Sequence, residues 1–218
     1  MDSKDSGEAI EILGRRRHAK ASEEYLDVAF RYDGEVFEWS IPIEYRRTGT
    51  HLADYSDKEI ADYATQVYLK CHPRNWAAFR ENASDFWAQS KPGAVVTKSF
   101  FDGLAADFGW KSVKDDLPAN SNSQRRIQDL KEFGYTVATN TNMINSKTGE
   151  ASTHHLLLPL PRGGITGYET WSPKLRTRIV KVLGGIDAYE GKAVNFHGLL
   201  PDHKFPEIRW DDGVKRDD

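Results

Sequence analysis

Apolar and polar residues alternate most clearly over residues 25–46, YLDVAFRYDGEVFEWSIPIEYR. Asp33-Gly34 lies between two alternating runs, which predicts a β-hairpin with a tight turn. Val28, Phe30 and Tyr32 share one face of the first strand, and Val36, Phe37 and Trp39 follow in the second. Pro42 places the end of that strand at an edge or a bulge. Upstream, residues 1–20 read as a short, weakly amphipathic helix ending in Arg15, Arg16, Arg17 and His18.

Beyond the hairpin the period changes to helical. Ser56 and Glu59 stand at capping-box spacing before a helix over 57–71, with Ile60, Tyr63, Ala64, Val67 and Tyr68 on one face. Pro73 suits the first turn of a helix over 73–89. Its stripe of Trp76, Phe79, Ala83, Phe86 and Trp87 reads as core, and Pro92-Gly93 ends it. A short extended piece over 94–97 precedes a helix over 98–108. A polar loop over 115–123 then leads to a helix over 124–133, closed by Gly134. A strand over 135–139, a loop over 140–150 and a returning strand over 154–160 complete the series.

The order helix, short strand, helix, helix, strand, loop, strand matches a winged helix, a variant of the helix-turn-helix motif. The helix over 124–133 takes the recognition position. Gln124, Arg125 and Arg126 in its first turn carry groups that reach base edges or phosphates. Lys147, in the 140–150 loop, stands where a wing would hold the DNA backbone. The loop PRGGITGYETW over 161–171 lacks the spacing of a phosphate-binding loop. Ser172-Pro173 then begins a helix over 173–183 that carries Lys174, Arg176, Arg178 and Lys181, with Leu175, Ile179 and Val182 or Leu183 toward a core.

Composition narrows the classes. At 218 residues and 39% apolar, the chain can build a sizeable core. No apolar run approaches the roughly 18 residues of a bilayer span, so no membrane partner is expected. The N-terminus lacks a signal-peptide pattern, which points to the cytoplasm. The lone cysteine, Cys71, excludes an internal disulfide and a Cys₄ zinc site, and it reads as a small buried hydrophobe. The formal net charge of −3 hides an uneven distribution. Residues 1–120 carry 16 basic and 21 acidic side chains, 121–181 carry 9 and 4, and 182–218 carry 5 and 8. A basic middle segment suits a polyanionic partner.

The chemistry-bearing residues stand near the end. Asp202-His203 follows an apolar run and continues as Lys204-Phe205-Pro206-Glu207. A carboxylate there suits a hard divalent cation, and the adjacent imidazole can take a proton from water. The stretch HGLLPDHKFPEIRWD resembles the first half of an HNH (ββα-metal) nuclease motif. With the preceding region, it is similar to HNH-type type II restriction endonucleases. The resemblance spans about residues 95–210. It implies Asp202 as a metal ligand, with Mg²⁺ or Mn²⁺ as the cofactor, and His203 as the general base. Only DDGVKRDD follows Trp210, without His or Asn. The resemblance therefore implies a module cut within its metal site. Three other features are weaker. Glu190-Gly191-Lys192 matches half of another nuclease motif, but Asp187 is too close for the other half. His154 and His155 point to opposite faces of a strand and cannot easily chelate one ion. His197 reads as structural or as a support for His203.

These readings give an α+β fold with three parts. Residues 1–92 form an N-terminal hairpin and helical region, 93–160 a winged-helix-like DNA-binding domain, and 161–218 a linker helix and incomplete HNH module. The expected function is a sequence-specific, divalent-metal-dependent endodeoxyribonuclease acting on double-stranded DNA. Gln124, Arg125 and Arg126 would read DNA, and Lys147, Arg176 and Arg178 would hold phosphates. A homodimer would suit a palindromic site. The alternative is a non-catalytic winged-helix DNA-binding regulator.

Overall fold

Among the described residues, two antiparallel sheets and four α-helices lie in the first of two units, Met1–Thr166, of a computed structural model; Gly167–Asp218 form the second. The residues described are 9–18, 23–45, 50–52, 54–163, 173–182, 184–186 and 192. The chain is therefore α+β. No described helix is long and apolar enough to cross a membrane.

The first sheet has the order β1-β2-β3-β4, from β1 (Ile10–Arg17), β2 (Glu23–Tyr32), β3 (Glu35–Tyr45) and β4 (Thr50–His51). Asp33 and Gly34 have φ of 50° and 90°, the left-handed pair that a two-residue hairpin turn requires. Val28 faces Trp39 and Phe30 faces Phe37 across the hairpin. Val28, Phe30 and Tyr32 are all buried. The register slips between Glu24 and Tyr25 where Tyr25 meets Pro42, so the proline lies at a bulge.

The helix expected over residues 1–20 is instead the edge strand β1 in its described part. Ile10 and Ile12 are β-branched, and pairing with β2 overrides weak helical amphipathicity. A bulge between Ile12 and Gly14 resets the alternation. It precedes Arg16, whose guanidinium lies over the Tyr25 ring.

Helices α1 (Asp57–Cys71) and α2 (Trp76–Ser90) cover the aromatic side of this sheet. The Ser56–Glu59 capping box is formed, with both reciprocal bonds present. Ile60, Ala64, Val67 and Cys71 are buried, while Tyr63 and Tyr68 pack at the margin and donate to the Pro42 and Arg31 carbonyls. Tyr32 and Tyr68 stack with centroids 4.6 Å apart. The α2 stripe is core: Trp76, Phe79, Phe86 and Trp87 meet the rings of Phe37 on β3, Phe101 and Tyr135. Pro73 opens a 3₁₀ turn over Pro73–Asn75 ahead of α2.

Residues 94–97, expected to be extended, mostly belong to helix α3 (Val95–Ala105). Val95 and Val96 favour strand locally but are exposed. Thr97, Phe100, Phe101 and Leu104 recur at helical spacing and are buried, so tertiary packing decides. The second sheet follows, in the order β5-β7-β6, from β5 (Lys111–Ser112), β6 (Val137–Ile144) and β7 (Ala151–Leu157). Helix α4 (Ser123–Glu132) precedes the β6–β7 hairpin. The expected 140–150 loop is shorter, because Asn140, Met143 and Ile144 still pair with β7 across a bulge.

Residues on both sides of position 92 share one hydrophobic core, from Phe30 and Trp39 through Trp87 to Leu130 and Leu157. In the second unit, α5 (Pro173–Val182) ends at Gly184 and Gly185, both with positive φ. On α5 Val180 is buried, whereas Leu175, expected toward a core, is exposed; Val182 is 78% exposed, and its alternative, Leu183, lies outside the described residues.

Candidate nucleic-acid interface

Helix α4 is held by its buried face. Ile127 and Leu130 enter the core, and Gly134 closes the helix with a Schellman motif: Gly134 N–H donates to the Lys131 carbonyl and Tyr135 N–H to that of Leu130. Gly134 has φ of +88°, and a Cβ there would lie 2.5 Å from the Gly163 carbonyl oxygen. Glycine is required on both counts.

The first turn of α4 presents Gln124 and Arg125 to solvent. Arg125 lies 2.9 Å from one Asp129 oxygen and 3.4 Å from Glu132. Arg126 is more buried. It lies 3.1 Å from the other Asp129 oxygen and donates to the Thr97 hydroxyl at 3.2 Å. Thr97 in turn donates to Asp129 at 3.0 Å. Asp129, 8% exposed, thus gathers Arg125, Arg126 and Thr97 and fastens α4 to α3. The two arginines differ as a result. Arg125 sits in a half-exposed pair of the kind worth about 0–1 kcal/mol, which a phosphate can displace. Arg126 shares the same nearly buried Asp129, but its own side chain is 27% exposed against 52% for Arg125, and it also holds the Thr97 hydroxyl.

The turn of the β6–β7 hairpin, residues 145–150, is fastened at its base. The Asn145 amide, on a buried residue, donates to Asp115 at 2.5 Å and to the Ser112 hydroxyl at 3.2 Å, and its oxygen accepts from Lys147 N–H. Lys147 Nζ is 2.6 Å from Asp116. That bond is the main reason the Asp116 carboxyl is held below its ordinary value; a Ser112 N–H adds to it. The lysine side chain is still 60% exposed.

In the second unit, α5 displays Lys174, Arg178 and Lys181 as exposed side chains. Arg176 lies on the same helix, its side chain outside the described set. Asp202, His203, His197 and Glu190 also fall outside the described residues. No group of three or more metal-ligand side chains occurs among the described residues.

Sequence reasoning missed a polar seam under α4. Lys131, counted above as part of the basic segment, is 7% exposed. It donates to both Glu23 oxygens, at 2.8 and 3.0 Å, and to the Thr139 hydroxyl at 3.3 Å. Tyr25 donates to the same carboxylate at 2.5 Å. The Thr139 oxygen lies 3.1 Å from His155 Nδ1. Burial, then the Lys131 charge, pulls His155 down to about 3, so the ring is neutral at neutral pH. Arg16 joins the seam, donating to the Thr139 carbonyl at 2.8 Å and to Ser40, with Asp27 3.4 Å away. The available signal was a charged residue, Lys131, placed beside the apolar positions of α4. As the alternation implied, His154 and His155 act separately: His154 Nδ1 is 3.1 Å from the Ser152 carbonyl oxygen.

No protein-family model, curated protein or solved structure matches the chain.

Proposed function

We propose that the chain is a sequence-specific DNA endonuclease of the HNH restriction type, with α4 as the helix that reads DNA. The observation that carries this reading is the β5-β7-β6 order, with α4 directly before the β6–β7 hairpin. A winged helix has this arrangement, and it puts the start of a helix and a hairpin turn forward as contact elements. Gln124 and Arg125 are exposed for base and phosphate contacts, and Arg126 orients that turn through Asp129. Lys147 reaches the backbone by exchanging Asp116 for a phosphate. Arg176 and Arg178 add phosphate contacts from a helix with no acidic residue.

The catalytic part rests on the Asp202-His203-Lys-Phe-Pro-Glu run. Asp202 offers the hard oxygen donor that Mg²⁺ or Mn²⁺ takes. That ion, when bound, supplies charge stabilisation at the scissile phosphate. His203 takes the proton of the attacking water. A symmetric DNA site would engage a homodimer in the cytoplasm.

The test uses supercoiled plasmid and a pool of duplexes, with Mg²⁺ or Mn²⁺. The expected result is defined cleavage that His203→Ala abolishes, with DNA affinity retained and falling as salt rises. Binding without nicking under any divalent ion leaves the regulator reading. No salt-sensitive binding overturns both.

A further inference from the structure

We propose that a cleft in the first unit binds a small planar organic anion, with an aromatic body and a carboxylate or phosphate head. The cleft lies between the last turn of α1, α2 and the segment after β7, and it holds about 560 Å³. Small-molecule sites run from roughly 300 to 1,000 Å³. The inference is independent of the endonuclease reading.

Charge selects the ligand's sign. Lys70 and Arg162 line the cleft, and among the described residues no acidic one does. Neither cation is ion-paired with a described residue, in contrast to Arg125, Arg126, Lys131 and Lys147, which all face carboxylates. A concave surface of one sign concentrates the opposite ion.

Geometry places the head group. Tyr135 lines the cleft and is 1% exposed, and its hydroxyl is buried with no hydrogen-bond partner among the described residues. Folded proteins rarely leave such a group unsatisfied. Arg162 lies 5.9 Å from the Tyr135 ring centre. Its guanidinium is already fixed, 3.7 Å over Phe86 and donating to the Phe133 carbonyl at 3.1 Å. A guanidinium has five N–H donors, so donors remain for an anionic oxygen. The rest of the wall is flat and apolar, from the Phe79 ring to Pro159 and Pro161, with amides at Asn75 and Asn82. In the proposed complex a planar ring lies against these faces, its charged end meets the cations, and the Tyr135 hydroxyl, sealed in the unliganded protein, opens onto that end.

The experiment is a calorimetric titration of the full chain, without DNA, with benzoate, phenyl phosphate, neutral benzamide and inorganic phosphate. At least one aromatic anion is expected to bind with a dissociation constant below about 1 mM, at least tenfold tighter than benzamide. Which anion binds better identifies the head group. Tyr135→Phe, which keeps the ring, and Lys70→Gln, at an exposed position, should each weaken binding by about fivefold, as loss of one hydrogen bond or charge contact implies. The proposal is overturned if no anion binds, if benzamide binds as tightly, or if inorganic phosphate equals phenyl phosphate. Wild-type affinity in either variant overturns it as well.

Discussion

Lys131 and Glu23, 108 residues apart, form an ion pair with Nζ 2.8 Å from Oε1 and side chains only 8% and 12% exposed. The pair ties α4 to β2 from within. Its removal is asymmetric, because a charge left alone in a poorly solvated place is costly. We expect Lys131→Met to destabilise the fold by about 3–5 kcal/mol. The double variant Lys131→Met, Glu23→Gln should recover part of that loss. Urea unfolding of the single and double variants measures both, and equal stability of all forms would contradict the pairing.

His155 gives the seam a pH dependence. Its folded value is lowered, so the unfolded chain binds the proton more readily. The contribution is fully present above about 6.5 and is lost as pH falls from there toward 3. Wild type should therefore lose more stability than His155→Gln between pH 7 and pH 4. Subtracting the two unfolding curves at each pH removes the shared carboxylate titrations.

Arg125 and Arg126 should separate binding from stability. Arg125→Ala is expected to change stability by less than about 1 kcal/mol while weakening DNA binding and flattening its salt dependence. Arg126→Ala should destabilise by about 1–3 kcal/mol, because this less exposed arginine holds both Asp129 and the Thr97 hydroxyl between α4 and α3. Thermal unfolding together with gel-shift titrations at several salt concentrations distinguishes the two.

Gly134→Ala tests the contact between the end of α4 and the chain after β7. The left-handed backbone alone costs about 1–2 kcal/mol for an L-residue. The 2.5 Å approach to Gly163 adds to that by forcing the segment to move. A fall in unfolding free energy above about 2 kcal/mol is expected, with faster amide exchange at Gly163, whose N–H donates to the Gly134 carbonyl.

Local chemistry explains which features could be read from sequence. The Asp33-Gly34 hairpin, the Ser56–Glu59 box and the Gly134 stop each depend on a few adjacent residues, so they were visible. The strand at Ile10–Arg17 and the early start of α3 at Val95 depend on distant partners, which pattern alone does not supply. The basic character of residues 121–181 was real as composition and misleading as surface. Lys131 turned inward onto Glu23, and Arg125, Arg126 and Lys147 met acids; Glu23 and Asp116 lie outside the segment. Among the described residues, Arg162 and the exposed side chains of α5 were left as its unpaired positive charge.

Cys71 has a practical consequence. It is the chain's only cysteine, fully buried, with its thiol pushed up by burial. A maleimide dye should pass it by while the protein stays folded. Replacing exposed Gln124 or Lys147 by cysteine would then give a single labelled position with the native thiol left in place. The same shielding makes slow modification of Cys71 itself a clock for whole-molecule opening, read by mass without any probe attached beforehand.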